Sequence, residues 1–378
     1  MVVPLAARSV IAIVGALLVL TAWGSLIGTL IVPRPAGGWL TRWVDRIINT
    51  AFRVVTSGIA DHKRRDRVLA AQAAAILLAQ LLAWLGIFYV GYSLLLWPFI
   101  SAGLGSAFSI ASPEVFGPNA AVGNAQKVLA DLAAFTALVA VTLQIAYLPT
   151  LYAEFNRREN EVSLLNARAG VPSWGPELLA RTHYALGSGA STIDTLPDLY
   201  AQWERWAADV AESHTTYLPL VRFRSPKPLS SWVTALLAVL DSAALYLALS
   251  PQSAPAVPAR LCLRGGFQCL TQVARAMDID VPEIADPAAG ISLSYGEFLD
   301  AVARMQKVDF PIERDPADAW PDFVGWRVNY EQAAYAVAAA VDAVPAMWSG
   351  PRRNRVTAIA PIRPPSGRPP SNPRRAEA

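Results

Sequence analysis

Residues 9–32, SVIAIVGALLVLTAWGSLIGTLIV, carry no charged side chain. As an α-helix this run is about 36 Å long, and the hydrocarbon core of a bilayer is about 30 Å thick. Such a stretch is either a membrane span or a cleaved signal peptide. It is longer than a usual signal core, has no clear small-x-small cleavage site and is followed by basic residues, so an anchored span is expected. Two further apolar runs follow, at 68–99 and at about 128–152. The chain as a whole is 54% hydrophobic and 16% charged, whereas about a quarter of the residues of soluble proteins are charged. Spanning segments or an unusually large core would account for that skew.

Lysine and arginine counts in short loops orient the spans. Between the first two runs stand Arg34, Arg42, Arg46, Arg53, Lys63, Arg64, Arg65 and Arg67, whereas the 100–126 loop has Glu114 as its charged residue. Arg157 and Arg158 follow the third run. The consistent solution places the N-terminus outside, 33–67 inside, 100–126 outside and everything after about 153 inside. In the second span Trp84 and Phe88 lie within the apolar run, and Tyr92 and Trp97 approach its far end, at headgroup level.

The inner loop contains WLTRWVDRIINTAFRVV. A 3.6-residue period places Trp39, Leu40, Trp43, Val44, Ile47, Ile48, Ala51, Phe52 and Val55 on one face and Arg42, Asp45, Arg46, Asn49 and Arg53 on the other. Two readings stand: a basic amphipathic helix in the membrane interface, drawn to anionic lipid headgroups through Arg42, Arg46 and Arg53 with Trp39 and Trp43 at the lipid boundary, or an ordinary helix packed on a cytoplasmic domain. In the first span Gly24 and Gly28 form a G-x-x-x-G pair, a candidate close helix contact.

The outer loop holds GLGSAFSIAS at 103–112, followed by the turn-rich SPEVFGPNAAVGN. It is either an exposed loop or a re-entrant segment lining an ion path, where irregular backbone is tolerated at membrane depth. The span–loop–span layout, the basic helix before it and the long C-terminal portion resemble bacterial potassium-channel-type pore-loop membrane proteins. The resemblance is to a group with a long cytoplasmic domain and is carried by LPTLYAEFNRRENEVSLLNARAG (148–170), LYAQWERWAADVAESH (199–214), RSPKPLSSWVTALLAVLDSAALYLAL (224–249) and GWRVNYEQAAYAVA (325–338). It implies a homo-oligomer in the bacterial inner (plasma) membrane, with a T-x-G-[YF] filter after a phenylalanine. The corresponding residues here are Phe108, Ser109, Ile110, Ala111 and Ser112, preceded by Ser106. Serine replaces the threonine, alanine the glycine and serine the aromatic, so the filter motif is not retained. The glycine of such a filter supplies a left-handed backbone that alanine adopts only at a steric cost. The resemblance makes the third span the pore-lining helix, with Thr142 and Gln144 as polar lining and Asp131 near the outer mouth. Pro149 is a candidate kink at its inner end.

Residues 154–350 read as a helical cytoplasmic domain. Leu196, Tyr200, Trp203, Ala207 and Val210 share one helical face, and NEVSLLNARAG ends on a glycine C-cap signal. SSWVTALLAVLDSAALYLALS (230–250) is apolar enough to suggest a fourth span. Asp241 in its middle is costly in lipid, and basic residues flank both ends, so a buried central helix is expected. Cys262 and Cys269 lie about 10 Å apart if helical, beyond disulfide reach, and are expected to be core residues. The Pro/Arg-rich end from Pro351 to Ala378 is expected to be a disordered tail.

No catalytic constellation stands out. His62, His183 and His214 are scattered, no H-E-x-x-H, paired C-x-x-C or G-x-S-x-G occurs, and GSGAST (187–192) lacks the lysine of a phosphate loop. No enzyme activity, cofactor or metal is expected. The net charge of +3, without a basic stripe, gives no reason to expect nucleic acid. The sequence therefore predicts an all-α membrane protein with three transmembrane helices and a helical cytoplasmic domain, the second and third helices forming the span–pore loop–span module. Its parts are a first span within 1–35, an interfacial helix in 36–67, the module at 68–153, the domain at 154–350 and the tail at 351–378. Two functions are expected of such a chain: a cation-conducting, ion-channel-like oligomer, or a non-conducting membrane-anchored scaffold or sensor whose helical domain binds a cytoplasmic protein partner.

Overall fold

The computed structural model describes residues 5–32, 38–99, 123–183, 192–286, 289–352 and 356–363. Among them the secondary structure is helical, apart from one isolated bridge between Ala346 and Ile359. The chain divides into two units: Met1–Gly58 with Val68–Ala153, and Ile59–Arg67 with Glu154–Ala378.

The first unit contains α1 (Leu5–Leu30), α2 (Trp39–Ser57), α4 (Gln72–Leu96) and, up to Ala153, α5 (Asn124–Ala169). Its core gathers Val19, Ala22 and Leu26 of α1, Trp84, Phe88 and Tyr92 of α4, and Ala133, Ala137 and Ala140 of α5. The alanines recur at helical spacing, so α5 presents a smooth strip to the large aromatic rings. The outward surface is as apolar as the core: Ile13, Leu17, Leu20, Leu78, Leu82, Phe135, Leu138 and Ile145 are all exposed. A soluble surface does not carry so much contiguous apolar area.

The close crossing of α1 and α4 falls at Gly15 and Gly91 and not at the expected glycine pair. A Cβ on Gly15 would stand 2.6 Å from the Gly91 carbonyl oxygen, and one on Gly91 would stand 2.8 Å from Val19. Gly24, by contrast, has no atom of the described residues within 4 Å of its would-be Cβ. Gly28 is half-buried. Spacing on one helix fixes only which glycines share a face; where the partner helix brings its own backbone close, here at Gly91, decides which of them is approached.

The second unit contains α3 (His62–Leu69) up to Arg67, the end of α5 from Glu154, and α6 (Gly175–Ala180), α7 (Leu196–Thr216), α8 (Trp232–Leu249), α9 (Ala256–Ala276), α10 (Tyr295–Gln306) and α11 (Pro316–Ala340). The helix starts obey local chemistry. Ser294 and Glu297 close a reciprocal capping box on α10, and Asp315 caps α11 ahead of Pro316. α5 ends at Ala169, where Gly170 takes φ +82°, as its C-cap signal predicts. Leu196, Tyr200, Trp203, Ala207 and Val210 of α7 all face the core.

Among the described residues, four helices are long and apolar enough to cross a membrane. In the segments Ala7–Leu30, His62–Phe99 and Asn124–Ala169 only 28%, 39% and 33% of the apolar window is buried, whereas in α8 every residue is. The other helices of the second unit thus enclose α8 on all sides. Cys262 and Cys269 are both free thiols buried in the core on α9.

The expected tail needs one correction. Arg352 is buried and donates to the carbonyls of Ala343, Val344 and Ser349. Residues 356–363 run as an extended strap, with the Ile359 amide on the Pro345 carbonyl and the Ile362 amide on the Val171 carbonyl. Packing therefore reaches Arg363, because these polar and proline-rich residues meet backbone groups that composition does not reveal. Residues 364–378 lie outside the described residues.

Candidate functional site

The pore-loop candidates Ser106, Phe108, Ser109, Ile110, Ala111 and Ser112 lie outside the described residues. On α5, Asp131 and Thr142 are exposed, whereas Gln144 is buried with its Oε1 lacking a hydrogen-bond partner among the described residues. At about 100° per residue, Thr142 shares its direction with Asp131 and points away from Gln144. The three candidates therefore do not form one lining stripe.

α2 is the helix whose orientation carries most information. Trp39, Trp43, Ile47, Val54 and Val55 are all more than half exposed. Thr41, Val44 and Thr56 are buried instead, with Leu40, Asp45, Ile48, Asn49 and Phe52 half-buried beside them. The inward polar groups find partners on the neighbouring helices: Thr41 Oγ1 lies 3.1 Å from Thr29 Oγ1, Gln72 donates to Asn49 Oδ1 at 2.8 Å, and Gln80 donates to Asp45 Oδ1 at 3.4 Å. The side that faces α1 and α4 thus combines these hydrogen-bonding groups with Val44, while Trp39, Trp43, Ile47, Val54 and Val55 face out. A helix lying on a soluble domain would bury such large apolar side chains. Arg42, Arg46 and Arg53 are exposed beside the apolar row, and the Arg46 guanidinium lies 5.5 Å from the Trp43 ring. Of the five charged or polar residues assigned to one face, these three arginines stay outside while Asp45 and Asn49 turn inward.

The second unit is organised by buried ions for which no motif stands out in the sequence. Asp241, in the middle of α8, pairs with Arg327 of α11 and accepts from the Tyr330 hydroxyl at 2.8 Å. Arg327 is itself fully buried; it also donates to Glu331 at 2.6 Å, to the Tyr335 hydroxyl at 2.9 Å and to the Trp348 carbonyl at 2.8 Å. Phe323, Tyr330, Tyr335 and Trp348 place their rings within about 6 Å of its guanidinium. Burial is the largest influence and works against the charge of Arg327, but Asp241, Tyr335, Tyr330 and Glu331 together outweigh it and hold this cation well above its ordinary range.

A second buried cluster centres on Arg158, near the end of α5. It pairs with Glu159 at 2.7 Å, donates to the carbonyls of Leu220 and Phe223, and lies 3.0 Å from His214 Nε2. Burial, and then Arg158, push the His214 imidazolium down well below its usual range. The ring is therefore neutral: Nε2 accepts from Arg158, and Nδ1 carries the proton and faces Ser213 Oγ at 3.0 Å.

A third cluster gathers Arg181, Arg304 and Arg363 around the buried Glu177 carboxylate of α6, each at about 3 Å. Burial alone would raise Glu177, but the guanidiniums hold it below the usual carboxylate range. A fourth set ties α3 to the end of α11: Arg65 pairs with Asp342 at 2.6 Å, Arg224 pairs with Asp66, and Arg224 and Arg222 donate to the Val341 and Ala340 carbonyls. Cations at the end of a helix complement its dipole.

The one sequence signal for these sets was a charge inside an apolar run, as at Asp241. No group of three His, Cys, Asp or Glu side chains among the described residues is arranged to hold a metal ion. No protein-family model, curated protein or solved structure matches this chain.

Proposed function

We propose that the chain is a three-span protein of a bacterial inner membrane, with its N-terminus outside, that anchors a helical cytoplasmic domain for binding a protein partner. The orientation of α2 carries this reading. An exposed row of Trp39, Trp43, Ile47, Val54 and Val55, beside Arg42, Arg46 and Arg53, has the chemistry of an interfacial helix over anionic headgroups. The arginine-rich 33–67 loop supports the same inner face, and the enclosure of α8 supports three spans over four. Because both native thiols are buried, a cysteine introduced by Ile47→Cys is the site that labels. In nanodiscs of anionic lipid an environment-sensitive dye at that position is expected to emit as in an apolar medium and to be quenched by brominated acyl chains. Water-like emission without quenching overturns the interfacial placement.

A channel-like homo-oligomer is the second reading, favoured by Gln144, whose buried Oε1 has no hydrogen-bond partner among the described residues. A carbonyl of this kind is served by water, an ion or a second copy. Potassium and sodium flux into liposomes, compared with a variant in which a flexible linker replaces 105–112, separates the readings. Flux abolished by the replacement supports the channel; the anchored scaffold is expected to pass neither ion.

A further inference from the structure

Residues 359–363, Ile-Ala-Pro-Ile-Arg, are seated as a bound peptide would be. Their backbone is held at three points: the Ile359 amide donates to the Pro345 carbonyl at 2.7 Å, the Ile362 amide to the Val171 carbonyl at 3.0 Å, and Arg181 Nη2 donates to the Ile362 carbonyl at 2.8 Å. Pro361 is buried over Gly170, where a Cβ would stand 2.6 Å from the proline ring. Gly170 also has φ +82°, so the notch requires glycine twice over. Arg363 reaches the buried Glu177 carboxylate at 3.0 Å, while its own side chain is 48% exposed. The rest of the segment contributes little packing, since Ala360 and Ile362 are exposed. Arg352, through its bonds to the Ala343, Val344 and Ser349 carbonyls, stiffens the loop that presents Pro345.

We infer that the surface formed by Gly170, Val171, Glu177, Arg181 and Pro345 is a recognition groove for an extended Pro-x-Arg peptide, and that the chain's own 359–363 segment is its tethered occupant. Backbone hydrogen bonds supply affinity, the Gly170 notch reads the proline and the Glu177 carboxylate reads the arginine. A proline-containing ligand enters an extended groove at a low entropy cost. A partner segment of the same chemistry competes with the strap, whose single buried side chain is Pro361. This names the partner face of the helical domain and rests on the scaffold reading above.

The test uses the full chain in detergent. A fluorescent peptide VTAIAPIRPPS, matching residues 356–366, is titrated into the wild type and into the Pro361→Ala/Arg363→Glu double variant, whose strap is weakened. Binding to the double variant at least tenfold tighter than to the wild type, lost when the arginine of the peptide becomes glutamate, is the expected result. Binding to neither protein, or equal binding of the glutamate peptide, overturns the groove. Should the double variant fold poorly, hydrogen exchange on the wild type gives the same answer. Excess peptide is expected to speed exchange at the Ile359 and Ile362 amides, and unchanged exchange refutes displacement. A failed titration on protein that still passes the Ile47→Cys lipid test removes the groove and leaves the anchored scaffold standing. Failure of the lipid test with intact peptide binding does the reverse.

Discussion

Arg327→Leu is expected to cost the helical domain about 3–5 kcal/mol, the usual price of removing one partner from a buried ion pair. The lost guanidinium leaves the Asp241 carboxylate in the middle of the fully enclosed α8 and Glu331 beside it. It also strips a donor from the Trp348 carbonyl and leaves an apolar side chain among four aromatic rings. For a domain of this size the loss corresponds to roughly 6–20 °C in Tm, measured by thermal unfolding of the full chain in detergent. Asp241→Asn is expected to lose less, because the amide still meets Tyr330 and Arg327. The double variant Arg327→Leu/Asp241→Asn should cost less than the sum of the two single changes, since the carboxylate stranded by the first is neutral in the second. A shift of Arg327→Leu below about 1 kcal/mol would show that the pair is solvated and that the network does not hold α8 to α11.

Acidification is expected to destabilise the same domain. His214 is neutral when folded and has its folded pKa pushed below the ordinary value of 6.5, first by burial and second by Arg158. Below about pH 6.5 the unfolded chain takes up a proton at this position that the folded chain refuses. Stability therefore falls as pH drops from about 6.5 towards the folded pKa, by up to about 1.4 kcal/mol per pH unit. Glu177 adds a later loss of the same sign: its folded pKa is depressed, so the stability it contributes is present above the ordinary carboxylate range and disappears as pH falls through the folded value. Thermal unfolding of the full chain at pH 8, 7, 6 and 5 is expected to show a flat upper limb and a decline below about 6.5. His214→Gln removes the titrating ring while keeping a side-chain carbonyl oxygen for Arg158. An unchanged pH slope in that variant would assign the decline to some other group.

Local patterns were legible wherever the information lay within a few residues along the chain. The face of α7 from Leu196 to Val210 and the glycine stop at Gly170 each depend on neighbours a few positions away. The interior carboxylate Asp241 already argues that 230–250 lies in protein and not in lipid, and every residue of α8 is indeed enclosed. Its counter-ion is another matter: Arg327 lies 86 positions further along, and the Arg158–His214 contact spans 56. Periodicity carries no term for such separations.

The α2 wheel is the clearest division between the two sources. The sequence by itself determined the angular order of the side chains around the helix, because 100° per residue is a property of the backbone. Tertiary structure alone decided which face turns in. Gln72, Gln80 and Thr29 offer hydrogen bonds to Asn49, Asp45 and Thr41, so these three turn inward beside Val44, and Trp39 and Trp43 face outward with the arginines. The α1–α4 crossing at Gly15 and Gly91, and the seating of Pro361 over Gly170, were decided in the same way. In each case composition supplied small or polar groups in excess, and shape complementarity with a distant segment selected which of them made contact.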